Sequence, residues 1–250
     1  MDLSTFLDKT ELNEVYGEII QRSRRIISIV PHPDDNELIA GGLIASKIAE
    51  NSSFLLVVIS DGRKGSRTLS EEELVYVRRK EQEEALNILG SKNLKFLKYR
   101  DTEIPPPSVL RDEIIKIIRD FGPDLVISVD PFLPYEAHPD HINTGHAVLQ
   151  AVLFADFPNI GIGKPVSRPN IALGFTHNPN VIVDCSKTMS KKMAAIRAHK
   201  SQFPDDSSVD IIWKISEIYG KRVGKNYAEA FRVLTPSELH VNILGGMNLR

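Results

Sequence analysis

Four short aliphatic runs, RIISIV (25–30), FLLVVIS (54–60), LKFLKY (94–99) and DLVISV (124–129), punctuate the first half of the chain. Between them lie segments with helical spacing: NELIAGGLIASKIAE, SEEELVYVRRKEQEEALNILG and SVLRDEIIKIIRDFG. No other feature constrains the fold as strongly, because repeated β-α-β units pack as a parallel sheet with helices on both faces. Three of the four runs are dense enough in apolar residues to be strands covered on both sides. In SVLRDEIIKIIRDFG, Leu110, Ile114, Ile117 and Ile118 share one face, Ser108 offers an N-cap and Gly122-Pro123 a stop. A further helix is expected over Thr10 to Ser23, where Leu12, Tyr16, Ile19 and Ile20 recur at near-helical spacing.

The second half is less regular. HINTGHAVLQAVLFADF (141–157) reads as a helix and NIGIGKPVSRPN (159–170) as a Gly/Pro-rich loop. IALGFT and VIVDCS read as strands, SKTMSKKMAAIRAHKSQ as a helix and AEAFRVL as a last strand. The expected class is α/β: a Rossmann-like, mostly parallel sheet with helices on both faces and a less regular C-terminal extension. At 250 residues the chain suits a single domain, with an N-terminal helix in 1–23, the sheet core in 24–157, and 158–250 completing the pocket.

Composition disfavours several partners. A formal charge of -2 and a pI near 6.4 supply no cationic field for nucleic acid or anionic lipid. Trp213 and the scattered phenylalanines form no base-stacking strip. Cys185, the single cysteine, leaves no intramolecular disulfide and no cysteine zinc finger, which suits a reducing compartment. The acidic N-terminus lacks the basic and apolar regions of a signal peptide, and no window approaches the ~20 uncharged apolar residues of a membrane helix. A cytoplasmic protein without a membrane span is the expectation. Neither GxGxxG nor GxxxxGK[ST] is present, so Gly41-Gly42 reads as a close approach of helix to sheet rather than a phosphate loop.

Chemistry gathers at two strand ends, where open α/β sheets bind ligands. His32-Pro33-Asp34-Asp35 follows RIISIV, and DPFLPYEAHPDH (130–141) follows DLVISV. His32, Asp35 and His141 together would supply two imidazoles and a carboxylate, a set that suits a catalytic zinc with one position open to water. Asp34 would then be free to take a proton from that water. The competing reading makes Asp34-x-x-Glu37 a helix capping box, which accounts for the acids but not for His32. His138 and His141 could both be ligands, or His138 could cap the helix that follows. A fourth ligand would close the site, which favours His138 as a proton donor or oxyanion stabiliser, with Asp140 to orient it. His146 reads as a core histidine, with a supporting role behind the site as the alternative, and His199 as a packing or pocket-wall residue.

These motifs resemble the LmbE-like, or PIG-L-like, zinc-dependent N-deacetylases. PHPDD with NELIAGG, and then HPDH, carry the likeness; SDG (60–62), Arg78-x-x-Glu81-x-x-x-Ala85-x-x-x-Leu89-Gly90, AAIRAHKSQ (194–202) and YAEAFRV (227–233) agree with it. The resemblance implies a Rossmann-like domain with zinc on His32, Asp35 and His141, Asp34 as general base and His138 assisting electrostatically. It also implies that Arg78 and Asp101 hold substrate. Archaeal diacetylchitobiose deacetylases, similar in character, imply that His240 enters a neighbouring subunit's pocket, and hence a homo-oligomer. One departure stands out: some relatives carry a tyrosine shortly before the second motif, where this chain has Glu136 two before His138 and Tyr135 one further back.

The expected activity is removal of an acetyl group from an N-acetylated amino sugar, of the N-acetylglucosamine or short chito-oligosaccharide type, to give acetate and a free amine. Two rivals remain at this stage. Asp140-His141 is an HD dipeptide, as in metal-dependent phosphohydrolases, and a non-catalytic sugar-binding protein could keep the same fold.

Overall fold

The computed structural model describes residues 12–241. Seven strands form one sheet: β1 (Arg25–Val30), β2 (Ser53–Ser60), β3 (Leu94–Tyr99), β4 (Leu125–Val129), β5 (Asn170–Gly174), β6 (Val181–Asp184) and β7 (Ala228–Leu234). Their order is β3-β2-β1-β4-β5-β7-β6. The first five are mutually parallel, and β7 runs antiparallel to both β5 and β6. The expected α/β class with a mostly parallel sheet is therefore the observed one. β1, β4 and most of β2 are buried, whereas β3, at the edge, has only Leu97 buried.

Seven α-helices lie among the described residues: α1 (Glu14–Arg22), α2 (Asp35–Ala49), α3 (Glu71–Leu89), α4 (Pro107–Phe121), α5 (Pro139–Leu153), α6 (Met189–Ala198) and α7 (Asp206–Arg222). Alternate strand residues feed opposite cores, as a period of two requires. Ile26, Leu56 and Ile127 meet Leu43 of α2, Leu86 of α3 and Ala195 of α6. Ile27, Val57 and Val126 meet Ile114 of α4 and Val148 of α5. Thr10 and Glu11, at the start of the expected N-terminal helix, lie outside the described residues.

Gly42 brings α2 close to the end of the sheet, since a Cβ there would sit 2.5 Å from the Cβ of Cys185, just after β6, and 3.2 Å from Glu229 Oε1 of β7. One helix was not expected. α7, with Asp205 as N-cap, had no counterpart among the expected helices. Its apolar residues cover a broad arc: Val209 is fully buried and Ile212 and Trp213 pack beside it, while Ile211 is exposed. The one-sided pattern by which a helix is recognised is blurred there.

Candidate active site

β1 and β4 are neighbours although about a hundred residues separate them, and the strand order reverses between them. The loops leaving their carboxyl ends converge there, at the topological switch point. His32, Asp35 and His141 each present a donor atom within 4.8 Å of the others. His32 Nδ1 lies 3.4 Å from Asp35 Oδ2, and His141 Nε2 lies 3.6 Å from Asp35 Oδ1. Tetrahedral ligands about 2.0–2.1 Å from a zinc ion would be separated by roughly 3.3 Å, so the donor set fits such an ion with little adjustment.

The far side of each imidazole is also provided for. His32 Nε2 faces Asp140 Oδ2 at 3.1 Å and Asp101 Oδ1 at 3.4 Å, while His141 Nδ1 faces Glu136 Oε2 at 3.6 Å. Carboxylates in these positions hold the outer N–H and leave the inner lone pair for a metal. His32, Asp101 and His138 form a second group of metal-ligand spacing. It is the weaker candidate, because His32 Nε2 is already claimed by two carboxylates. Burial alone would lower the pKa of His32, but bonds to Asp101, Asp140 and Asp35 outweigh it and push the value up to about 11. The cluster thus favours a positive charge, which a metal ion would supply in place of a proton.

Asp34 stands at the N-cap of α2 yet does not cap it. Its φ of 106° turns the carboxylate away from the helix, and Arg78 Nη2 donates to Oδ2 at 2.8 Å. The same guanidinium bonds the carbonyls of Pro33 and Gly62. Gly62, with φ of 65°, is required there, since a Cβ would lie 2.5 Å from Arg78 Nη1. The Asp34 N–H donates to Gln82 Oε1, whose amide nitrogen in turn reaches Glu37. Glu37 and His199 are both fully buried, with 3.2 Å between Glu37 Oε2 and His199 Nε2. The capping-box reading of Asp34-x-x-Glu37 therefore fails, because both acids have tertiary partners. Burial pushes the Asp34 carboxyl up to about 6, against the pull of Arg78.

His138 is the N-cap of α5, its Nδ1 accepting from Asp140 N at 3.3 Å. That bond leaves the ring proton on Nε2. Burial, then the neighbouring His32 and His141, lower its pKa, so the neutral ring is the dominant form near pH 7. The Asp140 carboxylate turns to His32 and to the N–H groups of Thr102 and Ile104, so it is the Asp140 backbone that engages His138. Asp101 is buried between His32 and the N–H of Lys64; burial raises its pKa, but the bond to His32 prevails and holds it down at about 2. His146 meets the ring of Phe132, Tyr135 stands fully in solvent, and His240 is exposed beyond the short turn Pro236–Leu239.

Sequence reasoning missed three participants: Glu136 behind His141, Gln82 beneath Asp34, and the Glu37–His199 pair. Glu136 was flagged only as a departure in motif. The other agreeing segments acquire physical roles, since SDG seats Arg78 and Glu81 accepts from the backbone and hydroxyl of Ser201 in AHKSQ.

The pattern of the PIG-L family, described as GlcNAc-PI de-N-acetylase, matches residues 27–152. The chain is 34% identical to a diacetylchitobiose deacetylase of Thermococcus kodakarensis, over 95% of this chain and 92% of that one. It is 33% identical to a probable N-acetyl-alpha-D-glucosaminyl L-malate deacetylase 2 of Bacillus anthracis, over 74% and 84% of the two chains. Its fold matches N,N'-diacetylchitobiose deacetylase from Pyrococcus horikoshii, solved with its inhibitor, with a TM-score of 0.85 and 37% identity over 93% of each chain. With the His-Asp-His group at the switch point and relatives alike over nearly its whole length, the chain belongs to the PIG-L family of metal-dependent deacetylases.

Proposed function

We propose that the protein is a zinc-dependent hydrolase that removes the acetyl group from an N-acetylated amino sugar, N-acetylglucosamine or a short chito-oligosaccharide. The observation that carries this reading is one constellation: three metal-ligating side chains within 4.8 Å of one another, with a buried carboxylate of raised pKa held next to them by Arg78. What a zinc ion on His32, Asp35 and His141 contributes is Lewis acidity at the acyl carbonyl and a water acidified to about pKa 7.

The chain's own residues do the rest. Asp34 takes the proton of the attacking water, and Arg78 fixes its carboxylate by occupying Oδ2. The Nε2–H of His138 donates to the oxyanion as the carbonyl carbon becomes tetrahedral. The carbon–nitrogen bond breaks, the amine nitrogen receives the proton that Asp34 took from the water, and acetate is left. Arg78 and Asp101 border the sugar's approach while holding Asp34 and His32 in place. The proposal includes a cytoplasmic location, suited to a chain with one cysteine, and an assembly in which His240 reaches a neighbouring subunit.

No helix among the described residues is long and apolar enough to cross a membrane. The parallel sheet counts against the phosphohydrolase alternative, whose relatives are helical bundles. Zinc-loaded protein is expected to release acetate from N-acetylglucosamine or diacetylchitobiose, to lose that activity with a chelator and to regain it with zinc. Phosphate release from a phosphoester panel, with no acetate from the sugars, would overturn the reading.

A further inference from the structure

His141 and Glu136 form part of the wall of a cleft of about 470 Å³. Leu38 and Ile39 of α2, Phe175 after β5, and Ile212 and Ile215 of α7 give it an apolar side, and Thr176, Ser216 and Tyr219 bring hydroxyls to the wall. Phe175 lies parallel to the His141 ring, their centroids 6.1 Å apart. The cleft thus begins at a metal-ligating side chain and runs between α2 and α7 over hydrocarbon. Its volume is in the range of organic ligand sites, roughly 300–1,000 Å³, and far exceeds what one methyl group needs.

Two charged side chains in the wall, Lys192 and Glu229, are closed on one another. Lys192 Nζ donates to Glu229 Oε1 at 2.7 Å and to the carbonyl of Leu38 at 2.8 Å. The Glu229 carboxylate accepts from the N–H groups of Gly42 and Leu43 at 2.8 and 2.7 Å. Neither has a charge left to bind a ligand. Apart from the Glu136 carboxylate and the hydroxyls of Thr176, Ser216 and Tyr219, the wall offers a sugar's hydroxyls few partners, whereas an alkyl chain needs none. Arg78, Asp101 and Asp34 line no part of the cleft, so the polar groups suited to a sugar are elsewhere around the same centre.

We propose that this cleft receives the acyl chain of the substrate, and that the enzyme cleaves amino sugars N-acylated with chains longer than acetyl. The inference rests on the deacetylase reading above and extends it. Water adds to the acyl carbon, the carbon–nitrogen bond breaks, the amine takes the proton and a longer carboxylate leaves. Each buried methylene is worth up to about fourfold in kcat/KM.

The test is a series of N-acyl glucosamines from acetyl through butanoyl and hexanoyl to octanoyl, assayed with zinc-loaded enzyme for free amine. The hexanoyl-to-acetyl ratio of kcat/KM is expected to be at least about tenfold. Ala230→Phe, which fills the cleft from β7, and Ile215→Asp, at its partly exposed rim, are each expected to collapse that ratio. Because the ratio is taken on one enzyme sample, partial loss of folded protein does not move it. A ratio at or below one, or a high ratio that both variants leave intact, would overturn the acyl assignment. So would a diacetylchitobiose-to-N-acetylglucosamine ratio that collapses in Ala230→Phe instead, since the occupant would then be a second sugar. Acetyl release alone removes only this inference, whereas no release from any member removes the deacetylase reading with it.

Discussion

Asp34 combines a backbone that L-residues rarely adopt with a carboxyl that burial keeps from ionising easily. Such a conformation costs on the order of 1–3 kcal/mol and persists only where the surroundings over-determine it. Here Gln82 holds the N–H, and Arg78 spans the preceding carbonyl and the carboxylate. Asp34→Asn keeps most of these contacts and removes the base, so metal content should be unchanged while kcat falls by about 10²–10⁴. Acetate release and metal analysis on one preparation check this; an undiminished kcat would remove Asp34 from the base role. Asp34 must be ionised to accept a proton, so activity should decline as pH falls through its pKa. In the metal-free chain that value is about 6, and a bound cation pulls it lower, so the acid limb of the kcat/KM profile belongs at or below pH 6. Gln82→Leu leaves the buried Asp34 N–H without its acceptor and takes one of the donors from Glu37, which keeps Asn36 and His199, and should cost about 1–3 kcal/mol in urea unfolding.

At the scale of the element, α2 brings Asp35 to the site with its first residue and is gripped at its middle by a buried ion pair. Within the helix, Gly42 N and Leu43 N donate to the Glu229 carboxylate, and the carbonyl of Leu38 takes Lys192 Nζ. Glu229→Ala would strand the Lys192 ammonium and two backbone donors, and a cost of about 3–5 kcal/mol is expected by denaturant titration. Replacing Lys192 by Met in the same chain should recover part of that loss. If Glu229→Ala instead unfolded at the same denaturant concentration as the unaltered protein, the clamp would contribute nothing.

For the whole molecule, a metal ion held by His32, Asp35 and His141 would also be a cross-link, since these residues join the loop after β1 to the start of α5 at the centre of the sheet. A ligand that binds only the folded chain stabilises it by about 2.7 kcal/mol at a hundred times its Kd. In a chain of this size each kcal/mol moves the Tm by roughly 2–4 °C. Chelation should therefore lower the Tm by about 5–10 °C, and Asp35→Asn should abolish the difference between loaded and chelated protein. A Tm indifferent to the metal would count against a site that closes across the two loops.

Much of this was legible in order along the chain. Strand and helix alternation depends on hydrophobic period, a local property, and the four aliphatic runs became β1 to β4 for that reason. His32, Asp35 and His141 were legible because few structural roles need two such polar groups at strand ends. α7 was not, because its apolar arc is broad and sets exposed Ile211 beside buried Val209, which blurs the edge of a one-faced pattern. The direction of Glu37 was not legible either: a capping contact and a buried bond to Gln82 and His199 begin from the same tetrapeptide, and only partners 45 and 162 residues away distinguish them. The sequence by itself determined the sheet and the donor types, since both follow from side chains read in order. Tertiary structure alone decided which nitrogen of His32 faces Asp35, what holds Asp34, and that a mostly apolar cleft opens beside His141, because each depends on side chains that only the folded chain brings within bonding distance.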